Sequence, residues 1–167
     1  MSGPRLAAAL IAGIRGAGVA VADLGMVATP MVYFAGFHLG SRSGVAITGS
    51  HNPPEYNGMK LTLAGDPVYG EALQRLRARI EAGGPRPAAA PGALRAVDVA
   101  EAYVARIAGD VRLARPMKVA IDCGNGVAGA IAPRLFRALG CDVVELFCEV
   151  DGRFPNHHPD PAHPENL

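Results

Sequence analysis

The fold class follows from residues 117–147, which read MKVAIDCGNGVAGAIAPRLFRALGCDVVELF. The apolar run 117–121 predicts a buried strand, residues 127–139 predict a helix, and residues 142–147 predict a second strand. A strand, a helix and a strand of these lengths are typical of a right-handed βαβ unit with two parallel strands. We therefore place the chain in the α/β class.

The same alternation precedes this unit. Ser2 is suited to cap a first helix, which Gly16 and Gly18 would end. The pair Asn57-Gly58 predicts a tight hairpin turn, and a helix with an apolar face formed by Leu73, Leu76 and Ile80 is expected downstream. The remaining predicted elements are strands at 19–24, 44–48 and 59–63, and helices at 30–39 and 71–81.

The clearest linker lies at residues 83–92, which read GGPRPAAAPG. Clustered Gly and Pro interrupt both helices and strands. We therefore predict two domains, residues 1–92 and residues 93–167, the second beginning with a helix capped near Asp98.

Composition narrows the function classes. The 167 residues carry 16 Lys and Arg against 15 Asp and Glu, a net charge of +1, and half of them are hydrophobic. This balance excludes a disordered chain and a nucleic-acid protein held by bulk charge. No apolar run approaches the roughly 18 residues of a membrane span, and no secretory signal opens the chain. The three cysteines, Cys123, Cys141 and Cys148, fit free thiols in a reducing cytoplasm.

The densest polar segment is residues 48–60, TGSHNPPEYNGMK. It follows a predicted strand, which places Ser50 at a strand end where open α/β sheets bind ligands. Ser50 could carry a phosphoryl group covalently, His51 and Asn52 could hold its oxygens, and Lys60 could move a proton or offset negative charge. On residue types alone, an ordinary polar surface turn is the alternative.

This segment resembles the phosphoserine loop of the α-D-phosphohexomutases, of the bacterial phosphomannomutase/phosphoglucomutase type. The resemblance continues in DLGMVATP at 23–30, VAIDCGNG at 119–126 and DGRFPNHHPDP at 151–161. It implies a mixed-sheet three-layer α/β/α first domain, followed by the beginning of a similar second domain.

The resemblance also implies an activity. Members interconvert the 1-phosphate and the 6-phosphate of a hexose such as mannose or glucose, through a phosphoserine enzyme and a bisphosphorylated sugar. Ser50 would be the phosphoserine and, through its phosphoryl oxygens, one ligand of Mg²⁺. Lys60 would be the general acid or base, His51 would lie near the phosphoryl group, and Ser50 with Asn52 would contact substrate. The expected partners are hexose phosphates, with neither nucleic acid nor membrane.

The sequence also departs from the family pattern. Members carry two strands ahead of the helix that begins near Ser2, and an Asp-Gly-Asp-Gly-Asp-Arg loop that supplies three metal carboxylates. Neither feature occurs in residues 1–167. We therefore expect residues 1–167 alone to be inactive as a mutase and, because sheet edges would be exposed, to associate or dissolve poorly.

Two other functions stay open. Gly124, Gly126 and Gly129 form a G-x-G-x-x-G after a strand, with Glu145 or Glu149 as a ribose-binding carboxylate, which is the context of a dinucleotide-binding module. The alternative for these glycines is a tight strand-to-helix turn. The chain could also be a non-catalytic mutase remnant that retains the fold.

The polar residues near the end of the sequence have a further interpretation. His157, His158, Asp160 and His163 could ligate Zn²⁺. A loop stiffened by proline, with histidines facing solvent or an interface, is the favoured alternative. Asp122 is expected to cap the turn that follows its strand.

Overall fold

The computed structural model describes residues 2–50, 52, 56–158 and 160, and these residues form two compact units. The first comprises Met1–Gly25 and Val32–Val97, and the second comprises Met26–Met31 and Asp98–Leu167. The α/β class is confirmed, with both parallel and antiparallel strand pairs.

The elements up to Val97 include three helices and five strands. In chain order they are α1 (Gly3–Gly16), β1 (Val21–Asp23), α2 (Thr29–His38), β2 (Gly44–Thr48), β3 (Gly58–Leu63), β4 (Asp66–Pro67), α3 (Gly70–Glu81) and β5 (Leu94–Ala96). Strands β2, β3 and β4 form an antiparallel sheet, and β1 pairs with β5 in parallel. Gly44 of β2 faces Val32 of α2, so small residues on this sheet face let the helix approach closely.

The β2–β3 hairpin differs from the prediction at its turn. Gly58 is already paired with Thr48, so Asn57-Gly58 is not a two-residue turn and the connection spans residues 49–57. The tight turn lies instead at Ala64 and Gly65, between paired Leu63 and Asp66. Both turn residues have positive φ, 55° and 100°, as a two-residue hairpin turn requires.

Residues 83–92 do not behave as a free linker. The N–H of Ala88 donates to the Gly16 carbonyl at 2.9 Å, and the N–H of Gly92 donates to the Arg15 carbonyl at 2.8 Å. The Arg15 guanidinium in turn donates to the Gly92 carbonyl at 2.8 Å. The segment thereby caps the C-terminus of α1 and leads into β5. After residue 32, the first unit continues to Val97 and the second resumes at Asp98.

Helix α3 is confirmed as an element, but its apolar face is not buried. Leu73 is 42% exposed, Leu76 is 36% exposed and Ile80 is 64% exposed. The helix ends where Gly83, at φ 100°, lets the chain reverse, and the N–H of Gly84 donates to the Arg79 carbonyl.

The second unit contains the predicted parallel pair. Its elements are α4 (Ala100–Asp110), β6 (Lys118–Asp122), α5 (Ala132–Ala138) and β7 (Asp142–Leu146), with a short 3-10 helix at Val127–Ala130. The register runs from Lys118 opposite Asp142 to Asp122 opposite Leu146. Buried apolar side chains in this unit include those of Met31, Val99, Val104, Ile131 and Cys141.

The single helix predicted over 127–139 is broken. Pro133 lacks an N–H and its ring would clash with the carbonyl four residues earlier, so a continuous α-helix cannot pass through it. The chain makes one 3-10 turn, resets at Ile131 and begins α5 with the proline in the first turn. Among the described residues, no helix is both long and apolar enough to cross a bilayer.

Candidate functional site

Ser50 is exposed and lies two residues beyond the end of β2, in the connection between β2 and β3. Its φ is 53°, in the left-handed region, which costs a residue other than glycine about 1–2 kcal/mol. The N–H of Ser50 donates to Thr48 Oγ1 at 3.0 Å, and the N–H of Asn52 donates to the Gly49 carbonyl at 3.0 Å. A strained conformation held by two local hydrogen bonds points to a functional role for this serine.

Two contacts hold the two ends of the same connection, near Gly49 and near Asn57. A Cβ added at Gly49 would lie 3.0 Å from the Tyr56 carbonyl oxygen, closer than an ordinary contact, so the glycine eases the close approach of the two ends of the connection. At the far end, Asn57 Nδ2 donates to Ser2 Oγ at 2.6 Å. Ser2 stands at the N-cap position of α1 but makes no side-chain cap bond, so its hydroxyl anchors the connection instead of capping the helix.

Lys60 lies on the neighbouring strand, β3, and is exposed. Its Cα is level with Ala46, two residues before Thr48, which is about 7 Å along the strand from the end of β2. Among the residues that the structure describes, Lys60 makes no ion pair and does not hydrogen-bond to Ser50 or Asn52. The fold therefore places Ser50, Asn52 and Lys60 on one hairpin without direct contact. His51 lies outside the described residues.

A second polar cluster surrounds Asn125, the one buried polar residue in the described part of the chain, at 5% exposure. Its N–H donates to the Phe147 carbonyl at 2.7 Å, and its carbonyl accepts from the Asp151 N–H at 3.0 Å. Its side chain donates to the Glu149 carbonyl at 2.9 Å and accepts from Asn156 Nδ2 at 2.7 Å. Asn125 thus ties the turn after β6 to residues 147–156.

Asp122 and His157 form the outer part of this cluster. The carboxylate of Asp122 accepts from the Gly124 N–H at 2.7 Å, which confirms the expected cap of the turn. His157 Nε2 lies 3.0 Å from the same carboxylate, and its Nδ1 lies 3.2 Å from the His158 carbonyl. These two partners, the carbonyl first and then the carboxylate, raise the pKa of His157 above its ordinary value of 6.5.

The turn at 124–129 is not built to bind a pyrophosphate. Its first three N–H groups are used within the chain, by Asp122, Phe147 and the Cys123 carbonyl, and the following helix is a single 3-10 turn. A dinucleotide needs free N–H groups at a helix N-terminus. Of the two candidate ribose carboxylates, Glu145 is paired with Arg137 at 2.5 Å. The dinucleotide-binding interpretation is wrong, and the glycines form a tight packing turn.

The described residues hold no group of three or more His, Cys, Asp or Glu side chains arranged to bind a metal ion. His157 of the suggested zinc set is engaged by Asp122, and His163 lies outside the described residues. The His157 ring thus has two protein partners, the Asp122 carboxylate and the His158 carbonyl.

Thr48 and Asn57 shape the serine connection, although their residue types did not mark them for this role. A Thr two residues before a serine in a polar turn is a signal for a side-chain-to-backbone bond, so Thr48 could have been found. The hydrogen bond from Asn57 to Ser2 joins positions 55 residues apart, and no local sequence pattern predicts it.

Two family models match the chain. Residues 1–86 match phosphoglucomutase/phosphomannomutase, alpha/beta/alpha domain I, and residues 101–167 match alpha/beta/alpha domain II of the same family.

Similar proteins extend the match over the whole chain. A phosphomannomutase/phosphoglucomutase of Pseudomonas aeruginosa is 53% identical over 167 residues, and a phosphoglucomutase of Neisseria gonorrhoeae is 52% identical over the same length. The chain spans 36% of the length of each relative. The crystal structure of a phosphoglucomutase/phosphomannomutase family protein from Burkholderia thailandensis is 50% identical and superposes with a TM-score of 0.88, covering 100% of this chain and 38% of that one.

Proposed function

The chain belongs to the phosphoglucomutase/phosphomannomutase family, and from this premise we propose that the complete protein interconverts hexose 1-phosphate and hexose 6-phosphate through a phosphoserine at Ser50. The observation that carries the proposal is the presentation of Ser50. It is exposed at the carboxyl end of β2, in a left-handed conformation that Thr48 stabilises. Substrates are proposed to be mannose or glucose phosphates.

In the proposed reaction, Ser50 carries the phosphoryl group as a covalent phosphoserine. Phosphoserine 50 transfers its phosphoryl group to a sugar hydroxyl, which gives a bisphosphorylated sugar and a free Ser50 hydroxyl. The sugar reorients and returns its other phosphoryl group to Ser50. Asn52 and His51 are proposed to hold phosphoryl oxygens, and Lys60 to exchange the hydroxyl proton or to offset developing negative charge.

A divalent metal is implied by the family, but the described residues do not supply a complete site for it. Mg²⁺ prefers several oxygen ligands in octahedral geometry. We propose that the phosphoryl oxygens of phosphorylated Ser50 contribute one ligand. For this reason residues 1–167 by themselves are proposed to lack mutase turnover.

Two organisational points belong to the same proposal. Residues 1–92 are proposed to correspond to the first family domain and residues 93–167 to the beginning of the second. The protein is proposed to act in the cytoplasm, because its three cysteines are free thiols and its substrates are metabolic phosphates.

The test is mutase turnover and phosphorylation state of the complete protein. Ser50→Ala removes the phosphoryl carrier and is expected to lower kcat by at least about a thousandfold. Ser41→Ala, which changes an exposed serine outside the connection, is the matched control. Lys60→Met is expected to lower kcat about a hundredfold or more, whereas Lys118→Met on β6 leaves it unchanged.

Phosphorylation gives an independent result. After incubation with a hexose bisphosphate, peptide mass spectrometry is expected to find one phosphoryl group, at Ser50. A complete protein that lacks turnover and never carries phosphate on Ser50 would refute the proposal and support a non-catalytic remnant. Full activity in Ser50→Ala would refute the phosphoserine mechanism while leaving family membership intact.

A further inference from the structure

The ends of the two parallel strands bring two thiols together. Cys123 directly follows β6 and Cys148 lies two residues beyond β7, and their Sγ atoms are 3.5 Å apart. Both are free and half-buried, so a small molecule can reach them, whereas the third cysteine, Cys141, is buried. A pair of reduced sulfurs in contact is a dithiol, and it plays no part in the proposed phosphoryl transfer.

The backbones that carry the two sulfurs are held side by side. The N–H of Cys123 donates to the Leu146 carbonyl at 3.1 Å, and the N–H of Asn125 donates to the Phe147 carbonyl at 2.7 Å. The register that pairs Asp122 with Leu146 brings Cys123 level with Phe147, the residue before Cys148. Adjacent strands lie about 4.8 Å apart, and disulfides span Cα separations of about 4.4–6.8 Å. Joining the sulfurs shortens their separation from 3.5 Å to about 2.05 Å. The gap to be closed, about 1.5 Å, lies between side-chain atoms.

The surroundings of the two thiols differ. Burial, followed by the hydrogen bond to Cys148, raises the pKa of Cys123 to about 12, so Cys123 keeps its proton at neutral pH. The negative charges of Asp122 and Glu145 act in the same direction. Cys148 is therefore the sulfur that attacks, and Cys123 is the sulfur that resolves the intermediate.

We propose that Cys123 and Cys148 form a redox modification site at which a hydroperoxide produces an intramolecular disulfide. The Cys148 thiolate attacks one peroxide oxygen, the O–O bond breaks, and Cys148 becomes a sulfenic acid with release of hydroxide. Cys123 sulfur then attacks the sulfenic sulfur, the S–O bond breaks, and the Cys123 proton leaves with that oxygen as water. In total, two thiols and one hydrogen peroxide give one disulfide and two waters, and the thiols lose two electrons.

The test is hydrogen peroxide treatment of the complete, reduced protein with glutathione in the same tube as a reference thiol. After alkylation of the remaining thiols, cleavage at Arg137 and Glu145 separates the peptide of Cys141 from that of Cys148. Mass spectrometry is expected to find a 123–148 disulfide, reversible by dithiothreitol, while Cys141 stays alkylated. The same treatment in urea is expected to lose this pairing, because the fold supplies the proximity.

Three variants assign the steps. In Cys123→Ser, Cys148 is expected to stop at sulfenic acid, which dimedone traps. In Cys148→Ser, Cys123 is expected to stay reduced, and Cys141→Ser is the matched control with an unchanged 123–148 bond. The proposal is overturned if peroxide that oxidises the glutathione leaves both thiols of the unsubstituted protein reduced, or if Cys148 pairs elsewhere. That measurement needs no variant, so a poorly folding substitution cannot leave the question open.

Discussion

Removing the Asn125 side chain is expected to destabilise the second unit through two separable causes. Asn125→Ala deletes the hydrogen bonds to the Glu149 carbonyl and from Asn156 Nδ2, each worth about 1 kcal/mol net. It also places alanine at φ 57°, a left-handed conformation that costs about 1 kcal/mol more than for asparagine. The expected loss in free energy of unfolding is therefore about 3 kcal/mol.

A double-mutant cycle with Asn156 isolates one of these bonds. Asn156→Ala removes a single donor and leaves the buried Asn125 Oδ1 without its partner, so it is expected to cost about 1.5 kcal/mol. In the double variant that oxygen no longer exists, and the total should remain near 3 kcal/mol instead of the roughly 4.5 kcal/mol of the summed singles. The coupling energy is therefore about 1.5 kcal/mol.

Two assays measure these energies. Urea unfolding followed by circular dichroism gives the overall change, and hydrogen exchange at the Asp151 N–H, which donates to the Asn125 carbonyl, reports on the second unit alone. Asn125→Gly is the backbone control and is expected to be less destabilising than Asn125→Ala, because glycine adopts positive φ without strain. Single effects that add to within about 0.3 kcal/mol would refute the reasoning.

Three further changes test other contacts. Thr48→Val removes the oxygen that accepts from the Ser50 N–H and is expected to lower kcat about tenfold with little change in KM. Thr48→Ser keeps this oxygen and is expected to retain the activity of the unsubstituted protein. Equal activity in the two variants would contradict a positioning role for Thr48. Gly129→Ala puts a Cβ into the backbone of the segment after β7 and is expected to cost at least about 1–3 kcal/mol in urea unfolding, with Gly109→Ala, which meets open space, as the control. Because the pKa of His157 is raised in the folded protein, protonated His157 stabilises the fold fully below pH 6.5, and this contribution is lost as the pH rises through the pKa of the folded state. In an NMR titration, Asp122→Asn is expected to lower the pKa of His157 toward 6.5. An unchanged pKa in this variant would exclude the ion pair as a cause of the shift.

The elements that the sequence predicts well are those with strong local patterns. Gly44–Thr48 is a strand with the predicted bounds, and β6 and β7 pair in parallel as the βαβ pattern indicates. These strands can be predicted because an apolar run and the glycines that end it lie within a few residues of each other, so the local sequence is sufficient.

The errors occur where a distant contact or a single residue decides the outcome. Asn57-Gly58 has the composition of a tight turn, but the structure has an open connection here, and Asn57 bonds to Ser2, the residue before α1. Residues 83–92 have the composition of a linker, but the N–H groups of Ala88 and Gly92 donate to carbonyls at the end of α1, some 75 residues earlier in the chain. Neither partner can be identified from the local sequence.

The candidate site shows the same division. Ser50 and its neighbours are evident from residue types and resemblance, since their order along the chain is the signal. The left-handed conformation of Ser50 and the contact between Cys123 and Cys148 are evident only from the fold. The sulfurs are 25 residues apart in the chain and meet because two strands are parallel and in register.

The attachment of residues 88–92 to the end of α1 determines where a foreign domain can be inserted. Between residues 85 and 87 the chain is exposed. Pro85 and Pro87 have no N–H, and the Arg86 N–H bonds to no other backbone group, so a fluorescent reporter inserted there should leave both units intact. A few residues later, an insertion between Ala88 and Gly92 would pull the caps from the Gly16 and Arg15 carbonyls and shift β5 away from β1. The same ten-residue stretch therefore offers one permissive site and, immediately beside it, one that is closed to engineering.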